Sequence, residues 1–303
     1  MISTPVTFII FNRPETTKKV FAEIAKARPT KLLVIADGPR TNHPEDVEKC
    51  AAARAIIDGV DWECEVLTNY SDVNMGCKRR ISSGLDWVFD TVEEAIILED
   101  DCLPDPTFFR FCEELLEKYR DDERIAMISG DNFQFGRKRT GYSYYFSRYP
   151  HIWGWATWRR AWKNYDVAMQ LWPEIRDGGW LKDILGDIKS EWYWRYIFEK
   201  VYSGKIDTWD YQWTFSCWIQ NALTVIPNVN LVSNIGFGIN AEHTKVKNRY
   251  AEMKTEPVSI PLSHPEYVLH DSKADSIVQN EMFSGKPLML RIIHRFMNKL
   301  KDV

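Results

Sequence analysis

Three consecutive carboxylates follow an apolar run that has the composition of a buried strand. The run spans residues 96–98, and Glu99, Asp100 and Asp101 come directly after it. In open α/β sheets, ligands bind at the carboxyl ends of strands. Adjacent carboxylates repel one another unless a positive charge lies among them, and a divalent cation bridging the oxygens of a diphosphate would supply that charge. The pattern predicts a metal and diphosphate site here, with a solvated acidic turn as the alternative.

Charged residues also follow other elements at the same predicted edge. Arg13 follows the first strand, and Asp37 follows the second. An Asp can accept an N–H group from a base edge, and an Arg can contact a base or a phosphate, although turn formation is the alternative for each segment alone. A flexible Asn74–Gly76 turn then precedes a predicted helix that starts with three successive cations at 78–80. The helix N-terminus and Lys78 suit contacts with phosphate or sugar, and a solvated surface is the alternative.

One acidic residue in the second half has the surroundings expected of a general base. Asp210 lies between Trp209 and Trp213, whose rings would desolvate the carboxylate and raise its basicity. Asp207 is a plausible N-cap, which puts Asp210 at the third helical position. There an acid is also favoured by the helix dipole, so a purely stabilising role is the alternative.

These residues must be positioned by a sheet, and the first 135 residues predict one. Short β-branched runs alternate with helical patterns, which is typical of βαβ units and a mostly parallel sheet. The predicted strands are 6–11, 31–36, 64–68, 94–98 and 125–129, and the predicted helices are 15–27, 43–57, 78–90 and 106–119. In the last helix, Asp105 is the expected N-cap and Pro106 the first helical residue.

The middle of the chain is aromatic and irregular. Of the 13 Trp residues, 11 lie between Trp153 and Trp218. Gly and Pro residues interrupt the sequence from 136 to about 208, which predicts loops and short helices over the sheet. A helix at 208–220 and a strand at 224–226 are predicted to follow. Flat rings can stack on the C–H face of a pyranose, and core packing is the alternative.

Composition excludes several classes of protein. The 303 residues are 45% hydrophobic and 27% charged, as in globular chains, and a net charge of −4 argues against a nucleic-acid partner. Six cysteines without a Cys-x-x-Cys pair favour reduced thiols in the cytoplasm over a disulfide framework or a zinc site. The first residues have no basic leader, and the apolar run 6–11 is too short for a signal peptide. We therefore expect a soluble, cytoplasmic protein.

The order of several motifs resembles a known family. Residues 35–38 (Ile-Ala-Asp-Gly) and 98–109 (Leu-Glu-Asp-Asp-Cys-Leu-Pro-Asp-Pro-Thr-Phe-Phe) resemble the nucleotide-sugar half of the N-acetylglucosaminyltransferase I family and its GT-A relatives. The likeness continues through 128–132, 154–158 and 209–213 in the order of that family. It covers roughly residues 5 to 244 and implies an α/β fold of GT-A type, with helices on both faces of a Rossmann-like sheet.

The resemblance implies roles for the donor side of the site. Arg13 and Asp37 match the family's uracil contacts, and Glu99 and Asp100 match its uridine and ribose contacts. Asp101 matches the carboxylate that holds the metal, Mn²⁺ or Mg²⁺. The implied partner is a nucleotide-sugar donor, most simply UDP-linked, and Lys78 is added to the donor-binding set from its place at a helix start.

The resemblance also implies roles for residues on the acceptor side of the site. Asp210 matches the family's catalytic base, and Tyr211 occupies the position of a second family acid. His243 stands where some GT-A enzymes bring a late side chain to the metal or diphosphate, with a structural histidine as the alternative. Candidate acceptor-stacking rings are Trp155, Trp209 and Trp213.

Together these features predict an inverting, metal-dependent glycosyltransferase that acts on a hydroxyl of a glycan or glycolipid. The predicted organisation is a nucleotide-sugar half at 1–135, an acceptor and catalytic half at 136–262 and a C-terminal extension at 263–303. A sugar-phosphate nucleotidyltransferase is one alternative, although residues 12–15 lack its Gly-rich, Lys/Arg-containing loop. A non-catalytic glycan-binding protein is the other.

The last eighteen residues predict an amphipathic helix. Leu288, Ile292, Phe296 and Leu300 recur at helical spacing, and five basic residues against one acid give residues 286–303 a net charge of +4. Such a helix suits peripheral contact with an anionic membrane at its inner face. Docking on the enzyme's own surface or on a partner subunit is the alternative.

Overall fold

The computed structural model of the protein describes residues 1–236, 250 and 252–283. Strands and helices alternate through the first half: β1 (Val6–Ile10), α1 (Pro14–Ala27), β2 (Lys31–Ala36), α2 (Glu45–Ala55) with a short 3-10 turn (Ile56–Gly59), β3 (Glu65–Tyr70), α3 (Cys77–Thr91), β4 (Glu94–Glu99), β5 (Cys102–Pro104), α4 (Thr107–Lys118) and β6 (Ile125–Ser129). All five strands and four helices predicted for this half are confirmed, with ends that differ by no more than two residues.

The second half contains more regular structure than its sequence predicts. It comprises β7 (Tyr144–Ser147), β8 (Trp155–Trp158), α5 (Arg159–Trp162), α6 (Trp172–Asp177), α7 (Leu181–Leu185), α8 (Ile188–Tyr202), α9 (Asp210–Ile219), β9 (Leu223–Pro227), β10 (Val232–Asn234) and α10 (Ser272–Met282). The 15-residue α8 corrects the expectation of loops and short helices before residue 208. Its N-cap is Asp187, whose carboxylate accepts the backbone N–H groups of Lys189 and Ser190.

One mixed sheet organises the molecule. Its strand order is β3-β2-β1-β4-β8-β6-β9-β7, and β5 pairs separately with β10. Four of the seven pairs in the large sheet are parallel, and β8 and β7 are the strands that run against the others. The predicted α/β class with a mostly parallel sheet is therefore confirmed.

Helices cover both faces of the sheet, as expected. On one face, the apolar sides of α1 and α4 bury Val20, Ile24, Phe108 and Leu115 against β1, β2 and β4. On the other face, α3 and α9 bury Leu85, Val88 and Trp213. Because both faces are covered, the ends of the parallel strands are where polar side chains can meet a ligand.

The C-terminal part that the structure describes packs into the aromatic region. Val278 of α10 is buried in a cluster with Trp172, Trp194 and Phe198, and Phe283 stacks on Tyr149 with ring centroids 5.7 Å apart. The proposed amphipathic segment 286–303 lies outside the described residues. No helix in the described part of the chain has the length and apolar composition needed to span a bilayer. All six cysteines are free.

Candidate functional site

The parallel pairing of three strands brings the predicted charged residues to one edge of the sheet. Ile9 of β1 lies opposite both Ile35 of β2 and Glu99 of β4, so these three strands end at the same level. Arg13, at the start of α1, reaches across to β4, and its Nη1 donates to Asp101 Oδ2 at 2.8 Å. Its Nη2 donates to Asp100 Oδ1. The predicted meeting of the β1 and β4 ends is confirmed.

Asp100 is the buried residue of this group, and it bonds to both Arg13 and the main chain after β1. Its Oδ2 accepts the backbone N–H of Phe11 at 3.1 Å. Burial raises the pKa of the Asp100 carboxyl, and the Arg13 charge opposes that rise. Burial lowers the pKa of the Arg13 guanidinium, but attraction by Asp100 and Asp101 outweighs it and raises that pKa. Arg13 therefore stays charged and holds both carboxylates.

Glu99 links the strand end to the other half of the site. Its side chain is half-buried, and burial followed by the Asp101 charge raises its pKa. The Asp210 charge contributes in the same direction, which places Asp210 near the acidic strand end. Whether the predicted base and the predicted donor residues share one binding site stays a prediction.

Asp210 is the first residue of α9, which corrects its predicted place at the third helical position. The N-cap residue is Trp209, and the Thr208 hydroxyl donates to Asp210 Oδ1. Asp207, the expected cap, lies instead beside Gly76 at the start of α3, where a Cβ on that glycine would be 3.2 Å from Asp207 Oδ2. Asp207 of segment 207–210 therefore lies against the N-cap of α3.

A two-stranded antiparallel sheet of β5 and β10 lies beside Asp101. Asn234 of β10 pairs with Cys102 of β5, and the Ile235 backbone N–H donates to the Asp101 carbonyl at 2.8 Å. Gly236 then lies so close that a Cβ there would be 2.1 Å from Asp101 Oδ2 and 2.8 Å from Arg13 Nη1. Gly236 was not among the predicted site residues; the Gly/Asn-rich composition after residue 228 was the available signal.

Two other predicted donor residues lie at the end of β2 and at the start of α3. Asp37 is 7% exposed, and its carboxylate accepts backbone N–H groups from the turn before α3. Burial raises the pKa of Asp37, and the hydrogen bonds from Met75, Gly38 and Gly76 oppose that rise. Lys78 lies half-buried in the first turn of α3. Donor binding by either residue stays a prediction.

The three tryptophans predicted to stack on the acceptor are core residues, which corrects that expectation. Trp155, Trp209 and Trp213 are 1, 2 and 1% exposed. Trp155 stacks on Trp209 with ring centroids 5.5 Å apart and lies 5.8 Å from Trp213. Their faces are covered by each other and by Trp162, because β8, α5 and α9 bring all four to the same face of the sheet. Their role is to support the start of α9.

A divalent cation fits the charge of the site. Arg13 pairs with Asp100 and Asp101, and burial together with the Asp101 charge raises the pKa of Glu99 to about 8, a rise that a bound cation would oppose. Among the described residues, no three His, Cys, Asp or Glu side chains form a metal-binding group. Mg²⁺ is usually held by one or two carboxylates together with substrate phosphates, so Asp101 alone could supply the protein ligand. His243, the other proposed ligand, lies outside the described residues.

Comparisons with known proteins return distant structural likenesses. No protein-family model and no curated protein matches the sequence. The structure of UDP-glucose pyrophosphorylase complexed with UDP-glucose matches with a TM-score of 0.36 and 10% identity, over 75% of this chain and 90% of that one. At these values the likeness carries no argument about activity.

Two further solved structures match at the same level. One is the 4-diphosphocytidyl-2C-methyl-D-erythritol synthase of Anaerococcus prevotii DSM 20548, with a TM-score of 0.34 and 8% identity over 74% of this chain and 88% of that one. The other is the inositol-1-phosphate CTP transferase of T. maritima, with a TM-score of 0.32 and 8% identity over 54% of this chain and 74% of that one.

Proposed function

We propose that this protein is a glycosyltransferase that moves a sugar from a nucleoside diphosphate sugar, most simply a UDP-sugar, to a hydroxyl of a glycan. The observation that carries the proposal is the convergence of two features on one crevice. Arg13 and Asp101 form an ion pair where the parallel strands end, and Asp210 starts α9 three residues after Asp207, which lies against the N-cap of α3. A diphosphate site and a base for an incoming hydroxyl would then face each other.

The donor would lie across the ends of β1 and β4. Arg13 would contact the base or phosphates and Glu99 would line the uridine and ribose side, while the buried Asp100 would hold Arg13 in place. Lys78, which forms no ion pair within the described residues, would face the diphosphate from α3. A Mn²⁺ or Mg²⁺ ion on Asp101 would neutralise the charge of the leaving diphosphate.

Asp210 would take the proton of the attacking hydroxyl. In a single inverting displacement the base and the leaving group lie on opposite sides of the reacting carbon, so the base must come from outside the donor pocket. Asp210 belongs to α9, whereas the donor residues belong to the ends of β1 and β4 and the start of α1, so the base would approach the donor from a different element. Thr208, which donates to one Asp210 oxygen, would keep that carboxylate oriented.

Of the two alternatives, only the glycan-binding protein loses support in the structure. A glycan-binding protein was suggested by the tryptophans, and the three strongest candidates among them are buried. A nucleotidyltransferase would need a Gly-rich loop after the first strand, and α1 begins four residues after β1 ends, with Phe11, Asn12 and Arg13 between them. The three solved structures named above are enzymes of this second class, so the experiment must separate it from sugar transfer.

Product analysis makes that separation. The protein would be incubated with Mn²⁺ and either UDP-sugars plus glycan acceptors or nucleoside triphosphates plus sugar 1-phosphates. Glycosyl transfer releases a nucleoside diphosphate, whereas nucleotidyl transfer releases pyrophosphate. Release of UDP with an extended glycan supports the proposal. Release of pyrophosphate with formation of a nucleotide sugar would refute it in favour of the alternative.

A further inference from the structure

The carboxylate of Asp37 has no acceptor capacity left for a ligand. Its Oδ1 accepts the backbone N–H groups of Gly38 and Met75, both at 2.9 Å. Its Oδ2 accepts the Asn74 side-chain amide and the Gly76 backbone N–H, both at 3.1 Å, with Met75 as a weaker donor at 3.2 Å. A carboxylate offers about four lone-pair sites, and four donors occupy them here.

These bonds join two segments that are distant in sequence. Asp37 follows β2, and its partners Asn74, Met75 and Gly76 form the turn that enters α3. The contact is tight, since a Cβ on Gly38 would be 2.5 Å from the backbone carbon of Val73. The Asn74 side-chain amide also donates to the Gly38 carbonyl at 3.0 Å, so the turn is joined to the main chain after β2 as well.

The far side of the same turn contacts the segment that contains the proposed base. Gly76 has a φ of +78°, which glycine adopts without strain, and it is the N-cap of α3. Asp207 lies against it, three residues before Asp210. The turn at 74–76 is therefore held by Asp37 on one side and lies against the 207–210 segment on the other.

We propose that Asp37 is a positioning residue, which fixes the turn at 74–76 and the first turn of α3 against segment 207–210, and does not read the nucleobase. The inference rests on the proposed function for its consequence in catalysis, namely that Lys78 and Asp210 keep a constant separation across the crevice. It replaces the base contact expected for Asp37, because every acceptor site that such a contact needs is already filled.

The direct test measures the turn itself. Asp37→Asn puts an NH₂ group where an oxygen accepts backbone N–H groups, so it removes acceptors and adds a repulsive donor. Amide hydrogen exchange of Met75 and Gly76 should accelerate about 10- to 100-fold, as expected for lost hydrogen bonds to a charged group. Exchange in β1, β2 and β4 should stay at the wild-type rate. Wild-type protection at Met75 and Gly76 in this variant would overturn the proposal.

Activity supplies a second readout that separates positioning from base contact. Asp37→Asn should lower kcat/KM by the same factor for every nucleotide sugar that the wild type accepts, so the preference between UDP and GDP sugars stays constant. A changed preference with an intact turn would show that Asp37 reads the base. If the wild type transfers no sugar, the exchange rates still decide the positioning role, because they need no substrate.

Two matched variants complete the design. Asp72→Asn removes an exposed carboxylate from the same loop and should change neither exchange nor activity. Asn74→Ala removes one donor of the cluster and keeps the Asp37 carboxylate, so it should loosen the turn less than Asp37→Asn does. If Asp37→Asn fails to fold, Asp37→Ser takes its place, because its hydroxyl accepts fewer N–H groups and adds no NH₂ donor, and wild-type protection of Met75 and Gly76 in that variant would overturn the proposal.

Discussion

Replacing Gly236 by alanine should disable the site while leaving the fold intact. The new Cβ would lie 2.1 Å from Asp101 Oδ2 and 2.8 Å from Arg13 Nη1, whereas an ordinary van der Waals contact begins near 3.4 Å. The Asp101 carboxylate must therefore move by more than 1 Å, or the paired strands β5 and β10 must separate by as much. Because Asp101 is the proposed metal ligand, either response displaces the metal and the diphosphate.

The expected size of the effect follows from that displacement. A misplacement of about 1 Å at a reacting centre costs about 100-fold in rate, or about 2.7 kcal/mol of transition-state stabilisation. Overpacking of this kind also costs about 1–3 kcal/mol of stability. The assay is kcat/KM with a saturating acceptor, together with thermal unfolding with and without Mn²⁺ and donor.

The control for this substitution is Gly141→Ala, since a Cβ at Gly141 meets nothing within 4 Å. It should keep wild-type kcat/KM and wild-type stabilisation by donor. If Gly236→Ala shows the same activity and the same Mn²⁺-dependent donor binding as the control, the assignment of Asp101 and the β5–β10 pair to the donor site is refuted.

Three further outcomes are expected. Asp210→Asn keeps the shape of the side chain but cannot accept a proton, so kcat should fall about 100- to 10,000-fold while donor affinity, measured by calorimetry, stays constant. Burial raises the pKa of Asp131 to about 7, so the folded protein keeps a proton that the unfolded chain loses near pH 4. Stability should therefore fall as pH rises from about 4 to about 7, and Asp131→Asn should remove this slope in urea unfolding, with a gain of roughly 4 kcal/mol over the wild type near neutral pH. The full chain should pellet with anionic liposomes more than a chain ending at Gly285, and equal pelleting would remove the membrane hypothesis for residues 286–303.

Local signals explain what the sequence predicts well. The alternation of apolar runs and helical patterns locates β2 and β6 with their observed ends, because strand and helix periodicity are properties of neighbouring residues. The predicted cap of α4 is one residue early, since Pro106 is the N-cap and the helix begins at Thr107, although the Asp105 carboxylate does accept the Thr107 N–H at 2.9 Å. The helix α10 was missed although Asp271 caps it and Ala274, Val278 and Met282 follow at helical spacing.

The contacts that define the site come from distant parts of the chain. Asp37 is joined to Met75 and Gly76 across 38 and 39 residues, and no pattern near Asp37 identifies those partners. Whether a tryptophan lies in the core or in a binding surface depends on what covers its ring. For Trp155 the covering residues belong to α5 and α9, so sequence spacing could not decide between stacking on a sugar and packing in the core.

Nucleotide binding tests the central claim most directly. Thermal unfolding of the wild type and of Asp101→Asn would be recorded with UDP, GDP, dTDP and CMP sugars, each with and without Mn²⁺. We expect one nucleotide class, most simply UDP, to stabilise the wild type, and to do so more strongly with Mn²⁺, while Asp101→Asn loses the Mn²⁺-dependent part. Absence of stabilisation by any nucleotide sugar, or the same Mn²⁺ dependence in wild type and variant, would contradict the account.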